Sequence, residues 1–141
     1  MKDILTVVSG LIGGFFGYLF GAWDKFLEAL LIFMILDYVS GFITAAFFGN
    51  SPKSVSGKLL SSAMFKGLCK KCMILIFVII GYKLDALLDT NYVKSMVVFA
   101  FIINELLSII ENAGRMGVPI PDVLKRAIET LNHSQNTDKE E

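Results

Sequence analysis

An all-α membrane protein, with about four transmembrane helices in two hairpins and a short amphipathic C-terminal helix, is the fold class this sequence predicts. Three observations predict it. Hydrophobic residues make up 55% of the 141 and charged residues only 18%, more apolar surface than a soluble domain of that size can hide. Apolar stretches recur at about the 20-residue length a helix needs to cross hydrocarbon, without the polar–apolar alternation of barrel strands. The net charge is zero, from 13 basic and 13 acidic residues, which speaks against a nucleic-acid partner, yet the lysines gather in one connector.

The first apolar segment runs from about Ile4 to Ala22. Its start, Met1-Lys2-Asp3, is barely basic and its body is rich in glycine, so it reads as a retained span and not a cleaved signal peptide. Gly13, Gly17 and Gly21 fall four apart on one face, with Gly10 and Gly14 beside them. Small residues at that spacing let helix backbones approach closely. They predict a self-association seam, or tight packing within the subunit, and their density favours the seam.

The second segment, Phe26 to Phe48, carries Asp37, Ser40, Gly41 and Thr44 along one stripe. An aspartate near a bilayer centre costs at least about 2.5–3.5 kcal/mol, so Asp37 must face protein or water. The connector that follows, "GNSPKSVSGKLLSSAMFKGLCKK", holds Lys53, Lys58, Lys66, Lys70 and Lys71 and no acid. It is assigned to the cytoplasmic membrane surface, which puts both termini on that side as well. Within it Leu60, Ala63, Met64, Gly67 and Leu68 suit either a short interfacial helix or an irregular basic loop.

The third segment, about Cys72 to Leu88, brings Lys83 and Asp85 near the outer face, to pair with each other or with headgroups. The fourth, Tyr92 to Ile110, places Asn104, Ser108, Glu111 and Arg115 on one face, with Glu105 and Asn112 beside it. The links "WDK" and "DTN" are short enough to make each pair of spans a hairpin. "GRMGVPIP" ends the last span, "PDVLKRAIETL" has the pattern of a short amphipathic helix, and "NHSQNTDKEE" reads as a disordered tail. The division expected is a transmembrane region, 1–113, and a cytoplasmic remainder, 114–141.

Asp37, Ser40, Thr44, Asn104, Glu105, Ser108 and Glu111 are the candidate pore-lining or interhelical polar residues, and Gly41 joins the glycines of the first span as a packing position. Asp37 and Glu105 have three possible roles: hydrogen-bonded across helices in the protonated form, lining water in an assembled pore, or relaying protons or ions. Neither span two nor span four offers a cation to pair with them. Cys69 and Cys72 form a lone CxxC far from the single histidine, His133. A zinc site wants four ligands, so no metal or other cofactor is expected. The chain has no phosphate-binding glycine loop and no nucleophile triad, which speaks against an enzyme.

The order "LDYVSGF", the lysine-rich "SSAMFKGLCKK", "YKLDALL" and "NELLSIIENAGRMGVPIP" resembles the toxin-secretion and phage-lysis holin family, which includes clostridial toxin-secretion holins. The resemblance covers Leu27 to Leu131. It rests on Asp37, Tyr38 and Gly41, on Lys70-Lys71, and on Asn104-Glu105, Ser108, Glu111-Asn112 and Gly117 to Pro121. It implies a homo-oligomer in the lipid bilayer of the bacterial inner membrane, forming lesions that release an endolysin or a large toxin. Many such proteins have two closely spaced starts, whereas the next methionine after Met1 here is Met34. The alternatives are a small ion or solute channel or transporter that uses the buried carboxylates, and a membrane scaffold without a pore.

Overall fold

The computed structural model describes residues 1–48 and 57–137, with side chains omitted at 57–59 and 135–137. Five α-helices follow one another: α1 (Lys2–Phe20), α2 (Lys25–Phe47), α3 (Gly57–Leu88), α4 (Val93–Arg115) and α5 (Asp122–Thr137). Three of them, α1, α2 and α4, are long and apolar enough to cross a membrane. In α3 the charges Lys71, Lys83 and Asp85 interrupt the apolar run. Large apolar side chains, among them Ile4, Leu11, Phe47 and Leu87, lie exposed around the outside, as in a fold whose solvent is lipid. The chain is thus an all-helical protein of multi-pass membrane type.

Helix α3 differs from expectation. The basic connector does not form a separate interfacial helix; from Gly57 it is continuous with the third apolar segment. At 32 residues α3 is about 48 Å long, against about 30 Å of hydrocarbon. Lysine is a good helix former, so the change in charge at Lys70-Lys71 marks a change of surroundings and not a helix end. Helix α5 also exceeds expectation, running through Thr137 and taking in much of the stretch read as tail. It packs on α4, burying Ile128 and leaving Val123 and Leu124 exposed.

Helix α4 is the centre of the bundle, with α2 and α3 both packed on it and approaching each other less closely. The hydrogen bonds fix directions. Asp24 meets Lys94 where α2 and α4 begin, and Ser40 meets Asn112 further along, so those helices run parallel. Asp85 meets Val93 and Lys94 near the end of α3, so α3 runs antiparallel to both. Leu27, Leu30, Met34, Ile74, Val78, Val98 and Ile102, with Phe20 from α1, fill the half of the bundle nearer the short links.

Polar groups clasp that end. Asp24 caps α2, accepting from the N–H groups of Phe26 at 3.0 Å and Leu27 at 2.9 Å. The Lys94 ammonium donates to Asp24 at 3.2 Å and to the Ala22 carbonyl at 3.1 Å. Partial burial works to raise the Asp24 carboxyl, but the Leu27 N–H and then the Lys94 ammonium outweigh it and hold the group below its ordinary value. Lys83 and Asp85 do not pair with each other. Lys83 reaches the Tyr18 carbonyl at 2.9 Å and lies over the Tyr18 ring, while Asp85 caps α4.

The α1–α2 link is short, but the backbone of α1 approaches α3 and not α2. Gly21 is the hinge of that approach. Its φ of 74° is a left-handed conformation that suits glycine, and a Cβ there would stand 2.5 Å from the Tyr82 ring. Gly81, which sequence reading passed over, lets α3 and α4 touch: a Cβ there would lie 3.1 Å from Lys94 Cα.

Candidate functional site

The other half of the bundle holds the polar residues. Asp37 and Glu105 stand near the midpoints of the parallel helices α2 and α4, which brings them to one level. The antiparallel α3 delivers Lys71 between them, and its ammonium contacts both carboxylates. Asn112, about two turns further along α4, donates to Asp37 at 3.3 Å and to the Ser40 hydroxyl at 2.9 Å. Gly41 keeps the approach close, since a Cβ there would sit 3.6 Å from the Asn112 amide. Glu105 is almost wholly enclosed, at 2% exposure, while the Lys71 and Asp37 side chains are 13% and 15% exposed.

Among the described residues, no buried polar side-chain atom lacks a hydrogen-bond partner. A charge taken from water without a partner costs several kcal/mol or more. The network satisfies this requirement within one subunit. Beside it, α2 and α3 stand apart with α4 as a floor, leaving a cleft of about 440 Å3. The cleft runs from the network to the Arg115 end of α4 and is lined there by Ala45, Ala63 and Met64.

The structure gathers some of the predicted site residues and leaves others out. Asp37, Asn104, Glu105 and Ser108 line the cleft, and Ser40 joins through Asn112. Thr44 is buried, but its hydroxyl turns back to the Ser40 carbonyl at 2.8 Å. Glu111 is exposed and stands outside the lining.

The basic set divides. Lys53 lies outside the described residues, and Lys58 is placed only by its backbone in α3. Lys66 and Lys70 are exposed. Lys71, expected at the membrane surface, instead is the cation that spans two and four do not supply at the level of Asp37 and Glu105, because its place on the continuous α3 carries it inside the bundle. The signal for this was available: two mid-span carboxylates need a partner, and Lys70-Lys71 abut the third apolar segment. Asn112 lies beside the polar face of the fourth segment but outside the candidate set that the sequence gives.

The glycines divide as well. Among the described residues, no neighbouring helix comes within 4 Å of a Cβ position at Gly10, Gly13, Gly14 or Gly17, whereas Gly21 is committed to Tyr82 within the subunit. Cys69 and Cys72 are free and exposed. No cluster of three metal-ligand side chains occurs among the described residues.

A family model described as the bacteriophage holin family matches residues 14–133. Among curated proteins, an uncharacterized protein of Listeria monocytogenes is 40% identical over 91% of this chain and 86% of its own length. An uncharacterized 14.9 kDa protein of Clostridium perfringens is 37% identical over 96% of this chain and 100% of its own length. A protein of Bacillus phage phi105 named "Probable holin" is 32% identical over 88% of this chain and 87% of its own length. No solved structure matches the chain.

Proposed function

Because the chain belongs to the bacteriophage holin family, we propose that it gathers in the bacterial inner membrane, assembles with copies of itself, and opens lesions that release an endolysin or a large toxin. This reading gives it no enzymatic role. The observation that carries the proposal is the Asp37–Lys71–Glu105 network, held inside a bundle whose outer surface is apolar. Such a chain sits quietly in lipid as a subunit, because each of its buried charges has a partner. Rearranged, the same groups supply a hydrated face, so the two states differ by repacking and not by new chemistry.

The same network supports a reading of four spans. The charges that interrupt α3 all have partners: Lys71 the two carboxylates, Lys83 the Tyr18 carbonyl, Asp85 the start of α4. With its charges satisfied, α3 crosses beside α2 and α4, and both termini lie in the cytoplasm, on the side of the basic connector. A transporter reading needs carboxylates free to bind a coupling ion, and both are engaged by Lys71.

Expression beside an endolysin that lacks an export signal tests the proposal. Sudden, late lysis with collapse of membrane potential is the expected result. Continued growth with the chain confirmed in the membrane would refute it.

Self-association is assigned to α1, where Gly10, Gly13, Gly14 and Gly17 meet no other helix among the described residues. Gly17→Leu is expected to shorten the ladder of cross-linked oligomers and to leave the thermal midpoint of the detergent-solubilised monomer unchanged. A full ladder would remove Gly17 from the seam, and a lowered monomer midpoint would show that α1 packs inside the subunit instead.

A further inference from the structure

The cleft between α2 and α3 has a feature that lesion formation does not use. Lys70 on α3 and Arg115 at the end of α4 both line it, and neither has an ion-pair partner among the described residues. The two acids in the lining, Asp37 and Glu105, are already held by Lys71. The lining therefore carries one more cation than anions, and its two unengaged charges are both positive. Arg115 also offsets the partial negative charge where α4 ends.

The cleft's volume of about 440 Å3 falls within the range of about 300–1,000 Å3 usual for small-ligand sites. Tyr38 and Ser108 add hydroxyls to its wall, and Ala45 and Met64 give an apolar lip. One cation on the α3 wall and another at the end of the α4 floor suit an anionic headgroup with its chains in the inner leaflet.

We propose that this cleft binds the phosphate of an anionic phospholipid between Lys70 and Arg115. The proposal rests on the membrane placement given above but not on lesion formation. The occupied cleft keeps α2 and α3 apart with their polar walls covered, so the lipid is a component of the resting subunit.

The test is retention of phosphatidylglycerol by the purified full-length chain in mixed micelles with phosphatidylcholine, read by native mass spectrometry. The double variant Lys70→Gln/Arg115→Gln is expected to bind phosphatidylglycerol about tenfold more weakly, or worse, with phosphatidylcholine retention unchanged. Lys125→Gln/Arg126→Gln removes the same charge from the exposed face of α5 and is expected to bind as the wild type does. Equal loss in both double variants would show general surface attraction and overturn the site. Displacement of the lipid by excess inorganic phosphate would assign the cleft to free phosphate and overturn the lipid.

Both cleft cations are exposed, and an unchanged helical circular-dichroism spectrum, with binding kept by Lys70→Arg/Arg115→Lys, separates lost binding from lost folding. The assay reads no lesion. Failure of the lysis experiment leaves a positive retention result standing, and failed retention leaves lysis untouched.

Discussion

Lys71→Met is expected to remove most of the folded chain from the membrane fraction, and the triple variant Lys71→Met/Asp37→Asn/Glu105→Gln to bring it back. The single change leaves two carboxylates at mid-helix facing each other with no cation, one of them at 2% exposure. Breaking a buried ion pair by removing one partner costs about 3–5 kcal/mol. That is a large share of the roughly 5–15 kcal/mol that holds a typical domain together. The triple variant removes the charges along with their partner, and replacing a whole buried ionic group is often neutral.

Size-exclusion profiles and thermal midpoints in detergent, with yield from the membrane fraction, measure the effect. Lys71→Arg is expected to fall between the two, because a guanidinium keeps the charge but changes its shape. A single variant as stable as the wild type would mean that Lys71 does not hold the carboxylates, and the network would then carry no argument about resting subunits.

The location of the three apolar helices was legible because it depends on local composition. The segment read as Phe26 to Phe48 is α2 from Lys25 to Phe47, and the segments of α1 and α4 agree to a few residues. Pairing was not legible. Lys71 stands 34 residues from each of its two carboxylates, beyond the reach of any local spacing rule. Counting lysines to orient the chain treats each as a surface charge. That suits Lys66 and Lys70, which are exposed, and fails for Lys71, whose continuous helix carries it inward.

The glycines show the same limit. Period four aligned Gly13, Gly17 and Gly21 on one face, yet whether a face meets a neighbour depends on the other helices. Gly21 meets Tyr82, and Gly17 meets no neighbour among the described residues. Gly81 went unseen because it is alone in its segment, with no stripe to announce that α4 lies against it.

Asp85→Ala is the second large effect, at the opposite end of the bundle. One Asp85 oxygen accepts from the Thr90 hydroxyl at 2.7 Å and the Val93 N–H at 3.0 Å, and the other from the Lys94 N–H at 2.9 Å. Losing a helix cap costs about 0.5–2 kcal/mol, and stranding a buried donor adds about 1–3 kcal/mol. The Lys94 N–H is the donor at risk, since Lys94 is buried and its ammonium is already engaged with Ala22 and Asp24. A lowered thermal midpoint is expected, together with faster amide exchange in the first turn of α4. Asp85→Asn is expected to rescue little. The amide has one acceptor oxygen, so its NH2 group must face either the Lys94 N–H or the Val93 N–H, donor against donor. If asparagine restored the wild-type midpoint, the cap would work through a single acceptor and Asp85 would not be the link joining α3, α4 and, through Lys94, the start of α2. If it does not, one carboxylate fixes the closed end of the bundle, and repacking has to begin at the open end, where Lys71 is.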